Sequence, residues 1–337
     1  MSTIRHRALG LSDEQVLRMY ERMVLARAFD QRASILVRQG KIPFTVAGHG
    51  HEGAQVGAAM TLTPGRDWVL PYYRDIGVVL TLGMTVRELM LGEFGKAADP
   101  NSGGRQMPKH WGCRRLRIVS QSSPVATQIP HACGLAWAMR LRREEGFVWV
   151  SFGDGVASKG DFHEGLNFAG IHKLPIVFFC ENNYYAISVP FSKQSPVPSV
   201  ADRAAAYGMP GISVDGNDVL AVYEASKQAA ERALRGEGPT LLEAKTYRFG
   251  PHTSNDNDRR YRSAEEVERW KALDPIPRFE AYLKEHGLLD EEEARAIKEQ
   301  AEETVREAAL WAEAQPDPDP STLTAYVYGE EGEGDGR

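Results

Sequence analysis

Residues 147–152, 175–180 and 239–244 form three short, almost wholly apolar stretches in an otherwise mixed sequence. Continuous apolar runs of this length suit parallel strands buried on both faces, where no alternation of polar and apolar positions is needed. Residues 161–170 and 218–235, which lie between them, carry helical patterns. Strand, helix, strand, helix, strand in that order predicts an α/β fold with a doubly wound, mainly parallel sheet flanked by helices.

Upstream, Val16, Met19, Met23 and Ala26 recur at helical spacing behind Ser12, which forms a capping box with Gln15, and Gly40 is a plausible stop. A second, small-residue-rich helix is expected over 130–143, and a charged amphipathic helix over 290–314. Residues 250–263 are rich in Asn, Asp, Ser and Arg and nearly free of aliphatics, so they are expected to bury little and to form a mobile loop. The acidic, glycine-rich end from Gly329 onward is expected to fray. The organisation that follows is an N-terminal helical arm (1–40), an α/β domain (41–265) and a C-terminal helical region with an acidic tail (266–337).

Composition narrows the function. The 337 residues carry 42% hydrophobic and 26% charged side chains with a net charge of −6, which argues against a nucleic-acid-binding surface. No apolar run approaches the ~20 residues of a membrane span. The polar, basic start of the chain lacks the apolar region of a secretory signal. Cys113, Cys133 and Cys180 are odd in number and contain no CxxC pair, which disfavours zinc and disulfide frameworks and points to a reduced, cytoplasmic compartment.

The chemistry gathers at the ends of the first two apolar runs. Gly153-Asp154-Gly155 closes one, and Glu181-Asn182-Asn183 closes the other. In a parallel sheet both ends open on the same edge, where α/β proteins bind ligands. Asp154 offers an anionic oxygen and Asn183 a neutral one. Such a pair suits Mg²⁺, which takes its remaining ligands from phosphate, water and carbonyls. The glycines allow close approach of the backbone, and the following helix can turn its N–H groups to a diphosphate. Taken singly, each motif is a common tight turn. Their pairing across one helix favours an Mg²⁺–diphosphate site. Neither the dinucleotide-binding glycine fingerprint nor a Walker sequence is present.

Gly153-Asp154-Gly155 followed by Asn182-Asn183 resembles the motif of thiamine diphosphate enzymes. From about Arg18 to about Ala314 the chain is similar to alpha subunits of the dehydrogenase component of 2-oxoacid dehydrogenase complexes. Segments 104–110, 122–130, 185–188 and 247–254 resemble the branched-chain (2-oxoisovalerate) type more than the pyruvate or acetoin type. A non-catalytic Mg²⁺–diphosphate-binding module is the alternative from another class.

The resemblance implies Mg²⁺ ligation by Asp154, Asn183 and the Tyr185 carbonyl. It implies diphosphate contacts from Tyr73, Arg74, Gly153, Gly155 and Val156, and a thiazolium and aminopyrimidine site lined by Ser123, Val125 and Ile187. Ser122, Pro124, Thr127 and Gln128 match a structural K⁺ site. His252 is the implied catalytic histidine, in a loop that, with Arg248, Asp256, Tyr261 and Arg262, covers the cofactor and helps receive a lipoyl domain. His49, His51, His131 and His163 receive no such support and read as packing or surface residues. Glu52 does not match the setting of the carboxylate that activates the cofactor. The resemblance assigns that group to a beta subunit in an α₂β₂ heterotetramer acting on a 2-oxoacid. Two departures stand out. Glu181 occupies a position where some branched-chain relatives carry arginine near the diphosphate, so a phosphate contact is expected to be missing or replaced. Thr253 stands where mitochondrial relatives carry a regulated phosphoserine, so kinase control is not carried over.

Overall fold

The computed structural model describes residues 4–325 and 327; the acidic end from Gly329 lies outside the described residues. The seven strands are β1 (Trp68–Leu70), β2 (Val148–Gly153), β3 (Ile176–Asn182), β4 (Tyr185–Ala186), β5 (Val189–Pro190), β6 (Gly211–Asp215) and β7 (Thr240–Lys245). Five make a wholly parallel sheet in the order β1-β2-β3-β7-β6, and β4 and β5 pair as a small antiparallel ribbon. The three apolar runs are its central strands β2, β3 and β7. The helices before the sheet's centre are α1 (Arg5–Ala8), α2 (Asp13–Arg38), α3 (Glu52–Ala59), α4 (Ile76–Leu82), α5 (Val86–Phe94) and α6 (Gln128–Arg142). Those after it are α7 (Gly160–His172), α8 (Val219–Leu234), α9 (Ala264–Lys271), α10 (Pro275–Glu285) and α11 (Glu291–Glu313).

Alternate residues of the central strands feed opposite cores. Trp149, Val177, Phe179 and Leu242 pack under α2, α3, α4, α5, α8, α10 and α11. Val148, Val150, Phe152, Ile176, Phe178 and Leu241 pack under α6 and α7. Burial on both faces explains why these strands read as unbroken apolar runs. The expected start of α2 holds: Ser12 accepts from the Gln15 N–H and Gln15 returns a bond to the Ser12 N–H. Gly40 follows with φ +70°, which only glycine adopts at little cost.

The loop at 250–263 buries little, as expected, and Arg262 is its one buried side chain: 6% exposed, it donates to the carbonyls of Arg248, Phe249 and Gly250 and pairs with Asp258. Its first half lies along residues 45–49, with the Phe249 N–H on the His49 carbonyl and the Ser254 N–H on the Thr45 carbonyl. A buried guanidinium replaces the missing aliphatics as the loop's anchor.

Candidate active site

Both β2 and β3 end at the same edge of the sheet, and a cleft of about 320 Å³ opens there. Tyr73, Arg74, Ser122, Ser123, Val125, Gln128, Gly153, Asp154, Gly155, Val156, Asn183, Tyr185, Ile187 and His252 all line it. Residues from five separate stretches of chain therefore converge on one cavity. Pro124 and Thr127 do not line it but adjoin Ser122, whose Oγ meets Thr127 Oγ1 and the Pro124 carbonyl. Gln128 turns its amide Nε2 onto the Ser122 carbonyl.

Of the two glycines that close β2, Gly155 is sterically required. A Cβ on Gly155 would lie 2.7 Å from the Ala186 Cβ, so any larger residue would force the ribbon out of the cleft. Strain also collects here. Among the described residues, and apart from those that end helices, the non-glycine positive-φ residues are Lys109, Ala126, Tyr184 and Ile187; Ala126 and Ile187 line the cleft, and Tyr184 lies between two lining residues. For a β-branched residue such as Ile187 (φ 56°) this conformation is costly, and such strain persists where the surroundings enforce it. Arg248 enforces it, donating Nη2 to the Ile187 carbonyl at 2.9 Å.

The cleft brings together two buried guanidiniums and one buried carboxylate. Arg74 and Arg248 are each 1% exposed, and neither has a carboxylate partner among the described residues. Arg74 donates to the Ala47 carbonyl (2.7 Å), the His252 carbonyl (2.9 Å) and His252 Nδ1 (3.0 Å), while its buried Nε–H has no acceptor. Arg248 donates to the carbonyls of Gly250, Tyr185 and Ile187 and to the Tyr261 hydroxyl. Buried guanidinium groups without counterions are unfavourable and favour an anionic occupant.

Asp154, 2% exposed, accepts from the Gln194 amide at 2.8 Å, and burial pushes its carboxyl up to about 6. Asn183 Oδ1 takes a long bond from the Tyr185 N–H (3.3 Å). Among the described residues no three His, Cys, Asp or Glu side chains gather as a metal cage. One carboxylate with neutral oxygens nearby suits a hard cation that keeps phosphate and water ligands.

His252 is half-buried. Because Arg74 can only donate, Nδ1 is the lone-pair nitrogen and Nε2 carries the proton. Burial, with help from Arg74 and Arg248, pushes the ring down to about 3, so it is neutral at physiological pH.

Of the side chains set apart by the sequence reading, Glu181, Glu52 and His163 lie outside the cleft, and the cleft residue Arg248 was missed as such. Glu181 does not reach the cleft. It is fully buried behind it, bonded to His51 Nδ1 (2.5 Å), the Gln55 amide (3.2 Å) and the Tyr72 hydroxyl (3.3 Å). Arg248, read from sequence only as part of the covering loop, is the second guanidinium of the cleft wall. The motif offered no signal for this, because the contact spans some sixty residues of chain. Glu52 is held by Arg27 and by the Gly50 N–H, so it is not free for proton transfer. His163 bonds the Tyr207 hydroxyl on the surface. A wider, open cleft of about 830 Å³ at the other end of the sheet, between Arg140, His172 and Gly236, has no buried charged side chain.

A parallel sheet with a cleft at its carboxyl edge, lined by two buried guanidiniums and one buried carboxylate, defines an α/β protein with a polar site at its strand ends. Residues 20–321 match the family described as dehydrogenase E1 component, and the chain belongs to it. It is 55% identical over 316 residues to the 2-oxoisovalerate dehydrogenase subunit alpha of Bacillus subtilis, covering 94% of this chain and 96% of that one. It is 45% identical over 305 residues to the 3-methyl-2-oxobutanoate dehydrogenase subunit alpha of Mycobacterium tuberculosis (89% and 80%). It is 42% identical over 307 residues to the human mitochondrial 2-oxoisovalerate dehydrogenase subunit alpha (91% and 68%).

Proposed function

We propose that this chain is the alpha subunit of a branched-chain 2-oxoacid dehydrogenase. With a beta subunit it decarboxylates 3-methyl-2-oxobutanoate and related acids and passes the acyl group to a lipoyl group. The observation that carries the reading is the cleft itself: two uncompensated guanidiniums and one buried carboxylate, on a chain more than half identical to a relative of that name.

Thiamine diphosphate fits this cleft, and when bound it supplies the electron sink that decarboxylation of a 2-oxoacid needs. Arg74, through its unpartnered Nε–H, and Arg248 would hold the diphosphate, joined by Tyr73 and the backbone at Gly153, Gly155 and Val156. Asp154, Asn183 and the Tyr185 carbonyl would hold Mg²⁺. The oxygens of Ser122, Pro124 and Thr127, with Gln128 beside them, would hold K⁺. Ser123, Val125 and Ile187 would flank the rings. His252, with its proton on Nε2, would be the group that moves a proton during acyl transfer. Val125 and Ile187 remain 40% and 56% exposed, so the cleft's apolar rim is left for the beta subunit to cover. That subunit would also supply the activating carboxylate, in an α₂β₂ assembly visited by the lipoyl domain.

The test is co-expression with the beta partner and dye-coupled oxidation of 3-methyl-2-oxobutanoate and pyruvate, with and without thiamine diphosphate and Mg²⁺. Cofactor-dependent turnover favouring the branched acid is expected. Preference for pyruvate would overturn the substrate, and inactivity of a well-formed complex would overturn the reading.

A further inference from the structure

Ser123 lines the cleft, and its hydroxyl lies 2.6 Å from His110 Nε2. His110 is itself 9% exposed, and its other nitrogen, Nδ1, lies 3.1 Å from the Pro108 carbonyl. A carbonyl can only accept, so Nδ1 carries the ring proton. In the neutral ring Nε2 is then a lone pair, and the Ser123 O–H must donate to it. The serine oxygen keeps its own lone pairs for the cleft.

Neighbouring side chains leave His110 little freedom. Lys109, at φ 66°, runs inward to a fully buried ion pair with Asp30, its ammonium 4.9 Å from the Phe29 ring centroid. Trp111, 1% exposed, donates its Nε1–H to the Tyr72 carbonyl at 3.2 Å. With Lys109 and Trp111 both anchored into the core, the imidazole between them is turned to Ser123. The three residues act as a clamp with one output, the direction of a single hydroxyl proton.

We infer that His110 is a positioning residue that makes Ser123 an obligate hydrogen-bond acceptor, selecting a ligand that presents an N–H donor to the wall of this cleft. The inference rests on the proposed function. The N–H donor of thiamine diphosphate is the exocyclic amino group of its pyrimidine. An acceptor at Ser123 therefore recognises that group and disfavours an analogue whose ring carries an acceptor there instead.

The test measures thiamine diphosphate affinity, by quenching of intrinsic fluorescence, in the αβ complex at saturating Mg²⁺. Variants H110L, H110Q and S123A are compared with the double variant H110L/S123A. H110L removes the acceptor and is expected to weaken binding roughly fivefold to tenfold, the worth of about one hydrogen bond. S123A should show the same loss, and the double variant no more than either single, because the two groups form one device. H110Q offers Ser123 a carbonyl oxygen and should restore most of the affinity. A purely structural histidine would show its loss in assembly or melting, be additive with S123A and gain nothing from glutamine. Wild-type affinity in S123A overturns the inference, and it does so even if H110L does not assemble. Failure of the wild-type complex to bind the cofactor would instead overturn the proposed function.

Discussion

Replacing Arg74 by methionine separates a structural arginine from a ligand-binding one. The side chain is 1% exposed and gives three hydrogen bonds, to the Ala47 carbonyl and to the carbonyl and Nδ1 of His252. Losing these costs about 1 kcal/mol each. Against that, the ligand-free chain no longer buries a guanidinium that lacks a counterion, a relief of several kcal/mol. The two nearly cancel, so the ligand-free αβ complex should melt within a few degrees of wild type. Ligand binding has no such compensation: the charge-assisted contact with a phosphate is worth about 3 kcal/mol, or two orders of magnitude in affinity. At a cofactor concentration of ~100 times the wild-type Kd, ligand stabilises the wild-type complex by about 2.7 kcal/mol. A hundredfold loss of affinity leaves about 0.4 kcal/mol. Thermal unfolding with and without thiamine diphosphate and Mg²⁺ reads both quantities. A retained ligand-induced shift refutes the phosphate role. A collapse of the ligand-free melting temperature means instead that Arg74 is chiefly a strut for the loop.

Two further outcomes follow from buried charges. Because burial raises Asp154 to about 6, above the ordinary value near 4, the folded ligand-free chain holds a proton that the unfolded chain releases. That contribution to stability fades as pH rises through this window, and Mg²⁺ must displace the proton below it. Mg²⁺-dependent cofactor affinity, followed by titration calorimetry, should therefore fall as pH drops from about 7 to 5, and a flat profile would remove Asp154 from the metal site. Separately, Lys109→Met would strand the Asp30 carboxylate in the core near Glu93, whose own carboxyl burial raises to about 7. It should cost about 3–5 kcal/mol in urea unfolding, most of it recovered by adding Asp30→Asn. Additive losses in the double variant would mean that the two residues act independently.

The central strands were legible because burial on both faces leaves no ambiguity of period. The edges were not. β1 offers three residues, and β6 alternates between exposed and half-exposed positions with no apolar run. Helix α3 also escaped detection: all eight of its residues are buried, so no polar face marks its turn. At the site, Asp154, Gly155 and Asn183 follow from strand-end chemistry alone, whereas Tyr73, Ser123 and His252 were found only by resemblance. Composition identified 250–263 as aliphatic-poor but could not show that Arg262 would fold it down by capturing three carbonyls. Such contacts depend on where the chain returns to itself, as between Arg74 and His252, 178 positions apart.

That last contact links two events usually treated separately. Of the five N–H donors of a guanidinium, Arg74 commits three to the loop and residues 45–49, leaving two for an anion. Anion and loop therefore share the group without competing for the same hydrogens, and each fixes it for the other. By thermodynamic reciprocity, an acceptor domain that prefers the ordered loop must tighten the cleft's hold on the diphosphate, and a filled cleft must tighten the loop's hold on its visitor by the same factor. Under the proposed function, empty complexes would then be poor docking targets, and the acyl acceptor would be recruited preferentially to subunits already loaded for turnover.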